Sequence, residues 1–204
     1  MSKKSIAFVL GNGTSRKKIN PIDLKQHGTV YGCNALYRTF APDYLVAVDT
    51  KMIMEIQKTN YHHDHQVWSN PNKLTRQDPN INKFNPNKGW SSGPTALHMA
   101  SVHDNAKIYI LGFDYVGLGE KQELVNNVYA GTKNYKNLND RATYFGNWQR
   151  QTMTCINQFQ RTKYVRVIEN EDSYIPDNLR DCKNLTHITM NNFIDFFGIT
   201  PLKS

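Results

Sequence analysis

The stretch that decides the fold runs from Ser5 to Ser15 and reads SIAFVLGNGTS. Residues 5–10 are apolar and β-prone, and a Gly/Asn/Ser turn after such a run is typical of a buried first strand that opens onto a phosphate-sized loop. The glycines at 11 and 13 let backbone N–H groups approach an anion, and the hydroxyls of Thr14 and Ser15 add donors. The stretch predicts an anion-binding loop, with a tight turn that holds no ligand as the alternative.

The spacing of this loop differs from the common phosphate-binding motifs. It is neither Gly-x-Gly-x-x-Gly nor Gly-x-x-x-x-Gly-Lys-Ser, so the usual dinucleotide and P-loop interpretations fail.

Apolar, β-prone runs recur along the chain and alternate with helical segments. The further strands are predicted at 29–33, 43–48, 66–68, 106–111 and 164–168. Helices are predicted at 50–60, 93–103 and 145–162, with shorter ones near 20–27, 34–40 and 190–197. This alternation implies βαβ units. We therefore expect an α/β fold over residues 1–204, a single-domain, Rossmann-like three-layer sandwich with a mostly parallel sheet.

Two long polar stretches, 69–90 and 115–144, interrupt this pattern. Loops of this length in a compact domain are usually functional lids or disordered. Residues 129–148 bring Tyr, Lys, Asn and Arg together, a composition that suits a loop folding over a phosphate or a sugar. The alternative is a solvent-exposed, Asn/Lys-rich insertion.

Small and polar residues follow the predicted strands. They are Gly11–Gly13, Asn34, Asp49, Ser69–Asn70 and Gly112–Asp114. Ligands of open α/β sheets bind outside the carboxyl ends of the strands, so we expect these residues to converge on one crevice. The segment from Ser91 to Pro94 predicts a helix N-terminus, whose free N–H groups attract anions.

Each of these residues also has a purely structural interpretation. Asn34 contacts a base or sugar, or else forms an Asx turn that caps the next helix. Asp49 and Asp114 bind ribose hydroxyls or a metal, or else cap helices.

Composition narrows the range of partners. The 204 residues carry a net charge of +8, which favours acidic partners, either nucleic acid or a phosphorylated small molecule. The basic residues are scattered apart from short runs at 3–4 and 16–18, and no recognition-helix pattern surrounds them.

Cysteine usage and hydropathy predict a cytoplasmic protein. The three cysteines are widely spaced and form no Cys-x-x-Cys pair, which favours buried thiols in a reducing compartment. No apolar run approaches the roughly 18 residues of a membrane helix, and the N-terminus lacks a signal-peptide core, so we expect no membrane partner. Residues 62–65 read HHDH, but no second ligand cluster is evident, and we expect no metal site.

The order of the motifs is more specific than any one of them. It runs GNGTS at 11–15, GCNALY at 32–37, SSGPTA at 91–96 and ILGFDY at 110–115. Over residues 5–160 this order resembles bacterial sialyltransferases of glycosyltransferase family 42 and the wider DUF115-type Rossmann group, which includes phage and motility-accessory proteins.

The resemblance implies a nucleotide-sugar-binding, glycosyltransferase-like protein whose donor is CMP-linked in the family and which needs no cofactor. It implies nucleotide binding by Gly11, Asn12, Gly13, Thr14, Ser15, Asn34, Ser91, Ser92, Gly93 and Gly112. It implies a catalytic set of Asp114 with tyrosines that stabilise the departing phosphate, namely Tyr115, Tyr135 and Tyr144, to which Tyr129 is added as a phosphate donor.

One departure from the family concerns the general base. The family histidine falls in a Tyr-x-Gly-His segment, and here the matching residues 144–147 end in Asn147. Asparagine cannot take a proton at neutral pH, so transfer needs another base, for which Asp114 and the histidines at 62, 63 and 65 are candidates.

Two other functions stay open on the sequence. One is a Mg²⁺-dependent, diphosphokinase-like enzyme that uses ATP and places Asp49 and Asp114 on the metal. The other is a non-catalytic protein that binds nucleotide in the crevice or nucleic acid through its basic surface.

Overall fold

The structure is a computed structural model that describes residues 5–202. Its strands are β1 (Ile6–Leu10), β2 (Thr29–Cys33), β3 (Tyr44–Val46), β4 (Val67–Ser69), β5 (Ile81–Lys83), β6 (Lys107–Leu111), β7 (Lys163–Ile168) and β8 (Leu185–Thr189). Its α-helices are α1 (Thr50–Lys58), α2 (Tyr61–Asp64), α3 (Lys73–Arg76), α4 (Ser92–Val102), α5 (Gly146–Gln158), α6 (Asp177–Arg180) and α7 (Met190–Phe197).

All eight described strands form one parallel sheet in the order β5-β4-β3-β2-β1-β6-β7-β8. The chain builds outward from β1 in one direction as far as β5 and then crosses to β6 on the other side of β1. The strand order therefore reverses between β1 and β6, which is where an open α/β sheet forms its binding crevice.

Side chains of β1 alternate between two cores. Phe8 and Leu10 pack into the core that includes residues of α1 and α7. Ala7 and Val9 pack into the core that includes residues of α4 and α5. A strand with both faces buried reads as a continuous apolar run, and the two cores confirm the predicted three-layer α/β fold.

The central strands and long helices lie close to their predicted positions, whereas several smaller elements differ. Strands β5 and β8 and helices α2, α3 and α6 were not predicted. The segments predicted as helices at 20–27 and 34–40 are short 3₁₀ turns, Pro21–Leu24 and Asn34–Arg38. The 69–90 stretch is not a loop throughout, because it holds α3 and β5.

The 115–144 stretch contains no helix or multi-residue strand, but it is tied to the body of the protein. Leu124 forms isolated bridges with Leu118 and Arg141. The backbone N–H of Val128 donates to the carbonyl of Asn12 at 2.8 Å. The bridges organise the stretch internally, and the Val128 bond holds it against the loop that follows β1.

The three cysteines, Cys33, Cys155 and Cys182, are buried free thiols. Burial raises the pKa of Cys33 and of Cys155 to about 12. Within residues 5–202, no helix combines the length and the apolar character that crossing a bilayer requires.

Candidate functional site

A cavity of about 570 Å³ opens beyond the carboxyl ends of the central strands. It lies at the β1/β6 crossover and is covered by residues of the 115–144 stretch. Predicted site residues that line it are Gly11, Asn12, Gly13, Asn34, Ser91, Ser92, Gly93, Gly112, Asp114, Tyr115 and Tyr135. Their convergence follows from the shared edge of the parallel strands.

Two asparagines that line the cavity have side-chain oxygens without a partner among the described residues. Asn12 donates from Nδ2 to the hydroxyl of Tyr135 at 3.4 Å, but its Oδ1 is buried without a hydrogen bond among the described residues. Asn34 has a left-handed backbone (φ 52°), and its Oδ1 is equally buried and unpartnered. An Asx turn would use that oxygen, so the capping alternative finds no support. Buried acceptors of this kind need a donor from a ligand or solvent.

The N-terminus of α4 forms a second wall. Ser92 Oγ accepts a hydrogen bond from the backbone N–H of Val48 at 3.0 Å, which ties the helix start to the segment after β3. The N–H groups of Ser92 and Gly93 line the cavity and donate to no other described residue. The helix dipole makes this end electropositive, so it suits an anion.

Thr14 and Ser15 lie outside the cavity lining, in contrast to the predicted placement. The N–H and hydroxyl of Thr14 donate to Asn126 Oδ1 at 2.9 and 2.8 Å. The N–H of Ser15 donates to Asp114 Oδ2 at 3.1 Å, and its hydroxyl donates to Asp114 Oδ1. These donors position the cavity walls, and the carboxylate of Asp114 is occupied by Ser15.

The tyrosines separate into different environments. Tyr115 is buried and donates to Thr152 Oγ1 at 2.7 Å, and burial raises its pKa. Tyr135 accepts hydrogen bonds from Asn12 and from the N–H of Ala35 at 3.3 Å, which leaves its own proton for a ligand. Burial also raises the pKa of Tyr135. Tyr135 is thus the predicted tyrosine that is best placed to donate into the cavity.

Tyr144 and Tyr129 do not line the cavity. Tyr144 is 76 % exposed. Tyr129 is buried, with its hydroxyl 3.2 Å from that of Thr39. Asn147, which the sequence resemblance aligns with a histidine of the sialyltransferases, is exposed and accepts from Arg150 at 2.7 Å.

The histidines proposed as replacement bases, at 62, 63 and 65, are not among the lining residues either. His62 is buried with its Nε2 3.0 Å from Asp78 Oδ2. Asp49 is a carboxylate that does line the cavity. It is exposed, and although it precedes α1 its side chain makes no capping hydrogen bond.

Sequence reasoning missed the amide-rich character of the lining. Besides Asn12 and Asn34 it includes Asn70, Asn126, Asn127 and Asn134. Its charged side chains are Asp49, Asp114 and Lys136. The asparagine content of the two polar stretches was the available signal. Within residues 5–202 no three His, Cys, Asp or Glu side chains cluster as metal ligands.

Comparison with known protein families, curated proteins and solved structures gives no match. The function therefore has to be argued from the site itself.

A partly buried ion pair holds the part of the 115–144 stretch that carries Tyr135. Arg38 binds both oxygens of Glu55 at 2.7 Å. The same guanidinium donates to Thr132 Oγ1 and to the carbonyl of Lys133, each at 2.8 Å. Asn134 donates to Glu55 Oε2 at 2.6 Å. The pair therefore joins α1 to the segment that closes one side of the cavity.

We expect Glu55→Gln to destabilise the fold by about 2 kcal/mol, because it leaves the partly buried Arg38 charge without its carboxylate. Urea unfolding measures this loss. Trypsin cleavage after Lys133 and Lys136 should become faster, since Asn134 loses its anionic acceptor. Asp177→Asn, which removes an exposed carboxylate 3.6 Å from Arg180, should leave the unfolding midpoint unchanged.

The ion pair also predicts that the stability difference between wild type and Glu55→Gln depends on pH. The Arg38 guanidinium holds the pKa of Glu55 below its usual value. The contribution of the ion pair to stability is therefore complete above the pKa of Glu55 in the unfolded chain, about 4.3. It is lost as pH falls through the lower pKa of Glu55 in the folded protein. The stability difference between wild type and Glu55→Gln should shrink under acid conditions. A constant difference across that range would contradict the assigned ion pair.

Proposed function

We propose that the protein is a glycosyltransferase-like enzyme that binds a nucleotide-activated sugar in this cavity. One observation carries the proposal: the α4 N-terminus, whose first N–H groups are free, lines the same cavity as Asn12 and Asn34, whose side-chain oxygens have no partner among the described residues. A nucleotide sugar needs both kinds of partner, donors for its phosphate and acceptors for its hydroxyls.

The charge of the lining favours a donor with one phosphate. Among the described residues, Lys136 is the one basic residue of the lining. The Nζ of Lys136 donates to the carbonyl of Arg141 at 3.0 Å. A triphosphate is ordinarily neutralised by several cations or a metal. A single phosphodiester needs fewer stabilising partners. The N–H groups of Ser92 and Gly93 and the hydroxyl of Tyr135 can serve as those partners. CMP-linked sugars are donors of this type.

Aromatic side chains form part of the cavity lining. Trp90, Phe145 and Trp148 line it and are partly buried, and the rings of Phe145 and Trp148 pack edge to face with centroids 5.6 Å apart. Flat apolar surfaces of this size suit a nucleobase. The donor would thus place its base against these rings and its sugar toward Asn12 and Asn34.

Asp49 is the base that the geometry favours in place of the family histidine. In an inverting transfer, the acceptor oxygen attacks the anomeric carbon while the bond from that carbon to the phosphate oxygen breaks. Asp49 takes the acceptor proton, and the nucleotide leaves with the bonding electron pair. Tyr135 and the α4 N–H groups stabilise the charge that develops on its phosphate.

A thermal-shift screen of CMP, UMP, AMP and GMP and their sugar conjugates tests the proposal. We expect one nucleotide series to raise the melting temperature. Asn34→Ala should weaken binding of that nucleotide series by about three- to tenfold, because a hydroxyl of the ligand loses its acceptor. Asn34→Asp should retain binding, because its carboxylate still accepts. Exposed Asn191→Ala on α7 is the matched control and should bind as wild type does.

Two results would overturn this assignment. If none of these compounds shifts the melting temperature at millimolar concentration, the cavity is not a nucleotide site. If Asn34→Asp abolishes binding while Asn34→Ala does not, Asn34 faces the phosphate instead of hydroxyls. With the donor known, Asp49→Asn should bind it normally and transfer no sugar.

A further inference from the structure

Four exposed cations belong to the cavity lining or directly precede lining residues in the chain, in contrast to the nearly neutral interior. Lys136 lies on the lining itself, Lys88 precedes the lining residues Gly89 and Trp90, and Lys133 precedes the lining residue Asn134. Arg141 precedes the lining residues at 142 and 143. We call Lys88, Lys133, Lys136, Arg141 and Tyr144 the rim.

The rim cations are not neutralised by carboxylates. The ion pairs of residues 5–202 involve Lys25, Arg38, His62 and Arg180, and none involves a rim residue. The lining itself carries two carboxylates, Asp114 and the exposed Asp49, against the four exposed cations of the rim. The rim therefore presents positive charge to an incoming ligand.

Two aromatic residues, Trp90 and Tyr144, lie close in the chain to these cations. The Lys88 ammonium lies 5.0 Å from the centroid of the Trp90 ring. Tyr144 is 76 % exposed beside the lining residue Phe145. Leaving a tyrosine ring in water forfeits its packing energy, so an exposed ring beside cations indicates a surface for a ligand that carries both charge and flat apolar faces.

We propose that the rim binds single-stranded nucleic acid. Lysines that follow a phosphate backbone and aromatic rings on which unpaired bases stack are the two elements of sequence-tolerant single-strand binding. A duplex hides its base faces, and an acidic polysaccharide has no flat rings. This binding does not require the nucleotide sugar. If the proposed function also holds, the strand is the acceptor, since the rim delivers it to the cavity that holds the donor.

Fluorescence anisotropy with a labelled oligothymidylate of about 15 nucleotides, near the largest site size of a single binding fold, tests the proposal. At about 50 mM salt, Lys88→Glu with Lys133→Glu should weaken binding by at least about tenfold, and wild-type affinity should fall steeply toward about 200 mM. Lys163→Glu with Lys183→Glu makes the same charge change near the opposite, amino ends of β7 and β8 and should bind as wild type does.

Tyr144→Ala distinguishes binding by base stacking from binding by electrostatic attraction alone. Because the ring is exposed, the variant should fold normally, bind the oligothymidylate at least about fivefold more weakly and bind heparin unchanged. Equal affinity for the single strand, its duplex and heparin, with no effect of Tyr144→Ala, would overturn the proposal, as would no binding of the single strand. Single-strand binding without any nucleotide-dependent thermal shift would keep this inference and reject the proposed transferase function.

Discussion

Arg166→Met is expected to lower the free energy of unfolding by about 3–4 kcal/mol and to weaken any ligand of the cavity. Arg166 lies inside β7 with its side chain buried, and burial lowers its pKa. A charge in that environment persists only if its donors are satisfied. The donors of Arg166 bond to backbone carbonyl oxygens, including those of the segment that follows β6.

The guanidinium of Arg166 binds carbonyl oxygens instead of a carboxylate. It donates to Phe113 at 2.9 Å and to Asp114 at 3.1 Å, and two of its nitrogens donate to Tyr174 at 3.1 Å. Its carbon Cζ lies 5.2 Å from the centroid of the Tyr115 ring. Each bond from a charged donor is worth about 1.5–3 kcal/mol. Methionine fills the space but leaves these carbonyls unpaired, and the relief of burying a charge offsets part of that loss.

Urea unfolding of Arg166→Met measures the effect, and a thermal-shift titration reports on the cavity, since Phe113, Asp114 and Tyr115 all line it. Arg180→Met is the matched control. Its guanidinium is exposed and lies 3.6 Å from Asp177, so the unfolding midpoint should not change. If Arg166→Met were as stable as wild type, the segment after β6 would be held by its own backbone bonds alone.

The sequence indicated the centre of the sheet better than its edges, for a physical reason. β1 and β6 are buried on both faces, so they appear as unbroken apolar runs. β8 is an edge strand that reads LTHIT and keeps three of its residues partly or fully exposed, and β5 has only three residues. Strands of this kind are specified by the neighbour they pair with, which local composition does not encode.

The parts of the site that follow from the position of strand ends in a parallel sheet were predictable from the sequence. The parts that depend on hydrogen bonds to residues distant in the chain were not. Asn12, Asn34 and Ser92 meet because the carboxyl ends of parallel strands share one edge. The hydroxyl of Thr14 donates to a residue 112 positions away, and no local pattern reveals that partner. Arg166 did leave a signal, since an arginine within an apolar strand must have buried acceptors.

Gly11→Ala is expected to destabilise the protein by about 3 kcal/mol and to abolish ligand binding in the cavity. A Cβ atom on Gly11 would lie 2.5 Å from the carbonyl oxygen of Gly112 and 2.8 Å from Cδ2 of Phe113. The carbonyl cannot move aside easily, because it accepts from the N–H of Gly13 at 2.9 Å. Gly112 also has a positive φ of 68°, which fixes the local path of the chain.

The methyl group must therefore push the ends of β1 and β6 apart at the point where the cavity begins. Urea unfolding and the nucleotide thermal shift measure the two effects. Gly198→Asn is the matched control, because Gly198 ends α7 with a φ of 63° and an added Cβ would meet nothing within 4 Å. Asparagine tolerates that backbone, so stability should stay within about 0.5 kcal/mol. Normal stability and normal binding in Gly11→Ala would mean that the strand ends separate without cost, and that nucleotide binding does not depend on a rigid wall at this point.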